Sequence, residues 1–256
     1  ASDVPGESAW PTQPVPVLPP PLSRSSMTAD DLSNVTPESH QFCSELFATL
    51  VNKGRYTPYG LHPTLVLPGT LGGATWSGVS YNPALGYVFV NTNEVGAVGR
   101  LAPQPEGSPS AYKRTSDGGE YARFWDKHLW PCQKPPWGKL SAINVNTGQI
   151  AWQVTLGIVE ELEKKGIHTG ALNIGGSIAT AGGLVFIAAT NDSRFRAFDA
   201  RTGKEVWSAK LDASGHATPM TYLGKNGKQY VVIAAGGGGS FGSAPGDSLT
   251  AFALLP

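Results

Sequence analysis

The chain has 256 residues, enough for one large domain or two small ones. Its 19 basic and 19 acidic residues cancel and only 15% of residues are charged, so no basic stripe offers an electrostatic footprint for nucleic acid. No apolar run reaches the ~18 residues of a membrane-spanning helix, while 32 Gly and 21 Pro point to a turn-rich, all-β chain.

The chain opens "ASDVPGESAW", with neither Met nor a charged start ahead of an apolar stretch. No signal peptide stands in this numbering, so either a leader has been removed or the chain begins inside a longer protein. Residues 1–26, with "PTQPVPVLPPPLSRSS", lack the donors a strand ladder needs and read as an extended surface segment. Acidic first-turn signals follow Thr28 and Thr36, and "SHQFCSELFATLVNKG" carries Phe42, Leu46 and Val51 ahead of Gly54, which predicts one helix over 37–53. Residues 1–63 are thus expected as an extended segment plus helix, and 64–256 as strands.

From Thr64 the period changes to that of strands. "TLVLPG" is short and β-rich, and "TWSGVSYNP" and "YVFVNTN" form a hairpin across "ALG". Residues 94–138 carry no steady period and read as a long, functional insertion. Then come "KLSAINVNTG" and "QIAWQVTL". After "GIVEELEKKGIHTG", read as a solvated helical turn with local ion pairs, the same order returns: "GSIATAGG", "LVFIAATND", "RFRAFDARTG", "KEVWSAKLD". A third cycle has "TPMTY" and "QYVVIAA", joined through the hairpin signal "GKNGK", and then "LTAFALL".

Two cycles share one phrase: small–Ala–apolar–Asn/Asp–x–x–Thr–Gly–x–x–x–Trp, at 141–152 and 196–207. Four short antiparallel strands per cycle make one propeller blade, which must stack on neighbours to bury its faces. Thr147-Gly148 and Thr202-Gly203 are the tight turns before the fourth strands. Trp152 and Trp207 are expected to pack flat between blades, with Ala142 and Ala197 small enough to let each ring approach. The third cycle has three strands and no third Thr-Gly-x-x-x-Trp. Two and three-quarter blades are fewer than a closed ring of four to eight needs, so the expectation is the C-terminal part of a larger propeller whose remaining blades lie on a missing or separate chain.

The phrase Ala-x-Asp/Asn-x-x-Thr-Gly-x-x-x-Trp is similar to the tryptophan-docking motif of the quinoprotein alcohol and glucose dehydrogenases, eight-bladed propellers that use pyrroloquinoline quinone (PQQ). "YTPYGLHPTLVLPGTLGGATWSG", "WPCQKPPWGKLSAIN", "GGLVFIAATNDSRFRAFDARTGKEVW" and "ATPMTYLGKNGKQYVVIAAGGGGSFG" resemble the C-terminal half of the membrane-type glucose dehydrogenase branch, which includes quinate- and polyol-oxidising enzymes. The resemblance implies PQQ at the propeller axis, a calcium or similar ion polarising its carbonyl, an Asp general base, and a quinone or cytochrome as acceptor. It places the base, the metal ligands and the stacking Trp upstream of the matched region, so no catalytic or metal residue is carried onto this chain. It implies cofactor contacts at Asn91 in "FVNTNE" and at Ile174, Gly175 and Gly176 in "LNIGGS". Trp76 either lines the site or packs. Gly238 stands where many relatives carry His, and Thr75 where some carry Asn. His168 and His216 have no partner by spacing and are read as core or surface residues.

Read alone, Cys43 and Cys132 allow one disulfide or two thiols. The resemblance implies the disulfide and a periplasmic or otherwise exported protein. A second function class stays open at this point: a non-catalytic propeller binding or scaffold module, like outer-membrane assembly proteins with similar Trp motifs.

Overall fold

The structure is a computed structural model that describes residues 2–8, 10–116, 122–238 and 243–254. In chain order its elements are a 3₁₀ turn (Ala29–Asp31), α1 (Pro37–Ala48), β1 (Thr64–Val66), β2 (Gly73–Ala74), β3 (Ser80–Asn82), β4 (Tyr87–Asn93), β5 (Ala97–Pro103), β6 (Tyr112–Thr115), β7 (Gly138–Asn144), β8 (Ile150–Thr155), α2 (Glu160–Glu163), β9 (Ser177–Ala179), β10 (Leu184–Ile187), β11 (Arg194–Asp199), β12 (Glu205–Lys210), β13 (Met220–Leu223), β14 (Gln229–Gly237) and β15 (Pro245–Ala253). The chain divides into two compact units. One takes Ala1–Val17, Ser23–Gly73 and Glu94–Pro135, and the other Leu18–Leu22, Ala74–Asn93 and Pro136–Pro256.

In the first unit, Thr36 caps α1 by accepting from the Ser39 amide at 3.1 Å, with Pro37 at the first helical position. The helix ends at Ala48, not at 53 as expected. The physical reason is competition for backbone. Thr49 Oγ1 donates to the Leu46 carbonyl, and Val51 leaves the helix to bridge Thr64, its amide donating to Pro63 O and its carbonyl accepting from Leu65 N. The stretch expected as a periodless insertion contains a hairpin, β5–β6, and β5 also pairs with β1 in the register Thr64↔Gly99. Cys43 on α1 is bonded to Cys132, the two Cα atoms 5.3 Å apart. Both sulfurs lie in a core with Met27, Leu32, Leu65 and Phe124.

The second unit holds three antiparallel sheets. The first is five-stranded: β4 pairs with β7 and β7 with β8, while β2 and β3 both pair with β4, with Asn91↔Leu140 and Ala142↔Trp152 in register. The second runs β9–β10–β11–β12, with Ala197↔Trp207 in register. The third is β13–β14–β15. The first two sheets carry a register shift at the same place, after Ala142 and after Ala197, so that Ala151 and Val206 are each unmatched across the ladder. The first core joins sheets one and two through Phe89, Leu140, Ala142 and Leu156 against Val185, Ile187, Phe198 and Ala200. The second joins sheets two and three through Phe195, Leu211, Ile233 and Ala235.

The shared phrase has a clear local logic. Asn144 Oδ1 accepts from the Asn146 amide, and Asp199 Oδ1 from Arg201 N, Thr202 N and Thr202 Oγ1. These bonds close the turn, and Gly148 and Gly203 follow at φ 71° and 74°, where a side chain is strained. Trp152 lies on the next sheet's turn. A Cβ at Gly203 would stand 2.6 Å from Trp152 Cε3, and the indole Nε1–H donates to Ala200 O at 3.0 Å. The Gly148 turn is covered by Leu18 instead, whose Cβ lies 3.0 Å from where a Gly148 Cβ would be. Trp207 departs from the flat packing expected of it. It stays 37% exposed and meets Phe252 and Phe195 edge-on at 5.0 and 5.9 Å. The third cycle carries no Thr-Gly-x-x-x-Trp phrase whose turn could receive it.

The expected helical turn at 160–165 is α2, and Lys165 pairs with Glu161 at 3.1 Å as a local ion pair. Glu160 is not local: it reaches Arg194 at 2.6 Å and Lys210 at 3.6 Å.

Candidate functional site

The end of β4 is unusually polar for a buried strand: Asn91, Thr92, Asn93 and the following Glu94 are each no more than 3% exposed. A strand end buried this way needs partners for every amide. In the second unit those partners come from residues 171–175. Asn91 Nδ2 donates to Asn173 Oδ1 at 2.6 Å and to Gly175 O at 3.0 Å. Asn93 Nδ2 donates to Asn173 O, and Asn93 Oδ1 accepts from Asn173 N, at 2.7 and 2.8 Å. Asn173 Nδ2 donates to Thr92 O at 3.2 Å and Ala171 O at 3.4 Å. Asn173 thus clamps the end of the first sheet to the start of the second, and bridges Thr190 as well.

Both amide hydrogens of Asn91 are engaged in this cluster. Both are thus spent inside the protein, one of them on the Gly175 carbonyl. Gly175 (φ 134°) and Gly176 are demanded by the protein itself. A Cβ on Gly175 would meet His216 O at 2.9 Å, and one on Gly176 would meet Thr218 Oγ1 at 2.7 Å and Ser77 O at 3.0 Å. Ile174 is held from behind by His216, whose Nδ1 lies 3.2 Å from Ile174 O and 3.0 Å from Ala189 O. Two carbonyls can only accept, so Nδ1 carries the proton. Trp76 does not pack: its indole is 92% exposed. Nearby, Thr75 Oγ1 reaches Gly175 O at 3.5 Å and Ser80 Oγ meets Ser177 Oγ at 2.7 Å.

Asn173 and His216 are the residues sequence reasoning missed. Asn173 stands inside the quoted "LNIGGS", where an amide among apolar neighbours is the one available signal. His216 gave none, since its partner is 42 residues away. His168 is a surface residue, bonded to Glu163 at 2.8 Å. Gly238 adopts φ 68° with open space at its Cβ position, and the rest of that glycine run, 239–242, lies outside the described residues.

Thr190 links this cluster to a charged one. Its Oγ1 donates to Asp192 Oδ1 at 2.7 Å, and Asp192 is buried with Arg196, Nη2 to Oδ2, while Ile158 N donates to Oδ2. Burial pushes the Asp192 carboxyl up, but the bonds and charge of Arg196, with Thr190 and the Arg194 amide, outweigh it and hold the group below its ordinary value. Among the described residues no three His, Cys, Asp or Glu side chains converge as metal ligands would. What the arrangement brings together is hydrogen-bonded carbonyls, close backbone and the exposed Trp76.

A family profile described as "PQQ: Glucose/ethanol/alcohol dehydrogenase, beta-propeller domain" matches residues 1–231. The chain belongs to that family of quinoprotein dehydrogenase propellers. It is 37% identical to the quinate/shikimate dehydrogenase (quinone) of Acinetobacter baylyi, over 92% of this chain and 32% of that protein. It is 36% identical to quinoprotein glucose dehydrogenase A of Acinetobacter calcoaceticus (90% and 31%), and 35% identical to the glycerol dehydrogenase large subunit of Gluconobacter oxydans (98% and 38%). The chain thus spans about a third of the length of these relatives. Among solved structures, quinohemoprotein alcohol dehydrogenase ADHIIG from Pseudomonas putida HK5 matches with a TM-score of 0.50 at 29% identity, over 70% of this chain and 24% of that one. A europium-containing methanol dehydrogenase matches with a TM-score of 0.50 at 23% identity, over 68% and 27%, which speaks for the fold alone.

Proposed function

We propose that this chain supplies part of the wall of a PQQ pocket in a dehydrogenase that oxidises a sugar, polyol or other alcohol. When bound, PQQ would supply the hydride acceptor, with calcium or a similar ion as its Lewis acid. The general base and metal ligands are assigned to propeller blades outside this chain. Here, Ile174, Gly175 and Gly176 would border the cofactor through backbone, Asn91 would hold the Gly175 carbonyl in place, and Trp76 would offer an apolar face. The observation that carries the reading is the fully bonded Asn91–Asn173–Gly175 cluster at buried strand ends, in a chain of this family. A pure scaffold has no need to fix carbonyls so tightly. Electrons would leave to a quinone or cytochrome, and the Cys43–Cys132 bond supports a periplasmic or otherwise exported setting.

The test is reconstitution. The chain is mixed with the remaining blades, PQQ and calcium, then desalted. A retained quinone absorbance is expected, with dye reduction on adding a sugar or polyol. Failure with all blades present would favour a non-catalytic module.

A further inference from the structure

The asparagine cluster reaches the stretch Ile174–Gly176 from sheet one, through Asn91 and Asn173. A second contact reaches it from the connection between β12 and β13, where His216 stands half-buried. The imidazole Nδ1 lies 3.2 Å from Ile174 O and 3.0 Å from Ala189 O. The His216 carbonyl lies 2.9 Å from where a Gly175 Cβ would be, and Ala189 Cα lies 3.2 Å from it, so Gly175 is wedged between the two residues. Ala189 is fully buried at φ 59°, a left-handed backbone that persists only where the surroundings impose it. Three bonds do so: Ala189 N donates to Gly215 O, and Ala189 O accepts from Ile174 N and from His216 Nδ1. The far edge of the ring faces sheet three. Nε2 is 3.5 Å from Ser243 Oγ, whose hydroxyl donates to Gly238 O at 2.7 Å, and Gly237 N donates to Ser214 O.

A carbonyl can only accept, so a ring without a proton on Nδ1 would set a lone pair against two oxygens. Of the two neutral forms of histidine, only the one protonated at Nδ1 fits this place. We infer that His216 is a positioning residue for the border 174–176: its Nδ1–H fixes the Ile174 carbonyl and the left-handed Ala189, and through them the backbone path of Gly175. Asn173 ties the end of sheet one to the start of sheet two, and His216 ties that same start to the end of sheet three. The two neighbours Asn173 and Ile174 are thereby held from two different sheets. What the border holds rests on the quinone reading; the clamp itself does not.

The competing account is that His216 merely fills space, and two variants separate the two. His216→Asn is smaller but keeps an N–H close to the Nδ1 position, whereas His216→Leu keeps the bulk and has no donor. On the full chain without cofactor, the imidazole nitrogen NMR shifts should show neutral His216 protonated at Nδ1. Exchange of the Ile174 amide should stay within about threefold of the unaltered chain in His216→Asn and rise at least about tenfold in His216→Leu, the scale of one lost hydrogen bond. With the remaining blades, PQQ and calcium added, loss of PQQ on dilution should follow the same order. Neutral His216 protonated at Nε2, or Leu preserving the Ile174 amide or the PQQ as well as Asn does, would overturn the proposal. If the unaltered assembly retains no PQQ, the quinone reading falls, and amide exchange alone decides the clamp. If His216→Leu fails to fold, judged by its melting curve, the protonated nitrogen and the His216→Asn exchange rate decide.

Discussion

Trp152 and Trp207 end the same phrase and live in different places. Trp152 lies against Gly203 of the next turn with its Nε1 bonded to Ala200, whereas Trp207 leans edge-on against Phe252 and keeps 37% exposure. The difference teaches that one copy of the phrase encodes two halves of two different interfaces. Its tryptophan needs the following turn, and its turn receives whatever precedes it: Leu18 at Gly148, Trp152 at Gly203. The copies also differ one residue before the shared alanine. Ser141 there accepts from Gln153 Nε2, and the equivalent Arg196 is buried against Asp192.

That last contrast should break most visibly. Asp192→Asn takes from Arg196 its buried anion and leaves only the half-exposed Glu205, 3.3 Å from Arg196 Nε, and is expected to cost about 3 kcal/mol, measured by urea unfolding. The same pair gives a pH signature. The folded carboxyl is held below its unfolded value of roughly 3.9, so its stabilisation is complete above that pH and is lost as pH falls through the lower folded value. Hydrogen exchange below about pH 4 should open β11 and β12 before β7 and β8, since Ser141 has no charge to lose.

Trp152→Ala removes a docked ring and should cost about 3 kcal/mol. Trp207→Ala should cost nearer 1 kcal/mol in this chain, because its ring is a third exposed and meets only ring edges. Equal losses in thermal melts would show that the two positions are equivalent after all. Gly203→Ala, with a positive φ and a ring 2.6 Å from the added carbon, should cost about 2–3 kcal/mol. Gly148→Ala should cost about 1 kcal/mol less, since Leu18 is half-exposed and can shift, and differential melting of the two variants checks it.

Much of this was readable from residue order. The Thr-Gly turns, the eleven strands of the three cycles and the hairpin at Asn226-Gly227 follow from alternation and turn chemistry, which are local. The misses are places where distant backbone decided. Val51 has the right helical spacing but is claimed by Pro63 and Leu65. β5 and β6 alternate weakly, with Gly99, Arg100 and Pro103 in the ladder, and owe their order to β1 and to each other. Asn91 was legible as a special residue, but its partner Asn173 stands 82 positions away and no spacing rule reaches it.

The unmatched residues Ala151 and Val206 carry one more consequence. Side chains on a strand point to alternate faces, so each extra residue sets the phase between a turn and the ring that follows it. Drop Ala151 and the ladder becomes regular, but turn and indole no longer aim at the same neighbour. The phrase can therefore drift freely in composition while its length stays frozen, and gene shuffling between such repeats would succeed only at junctions that preserve the count.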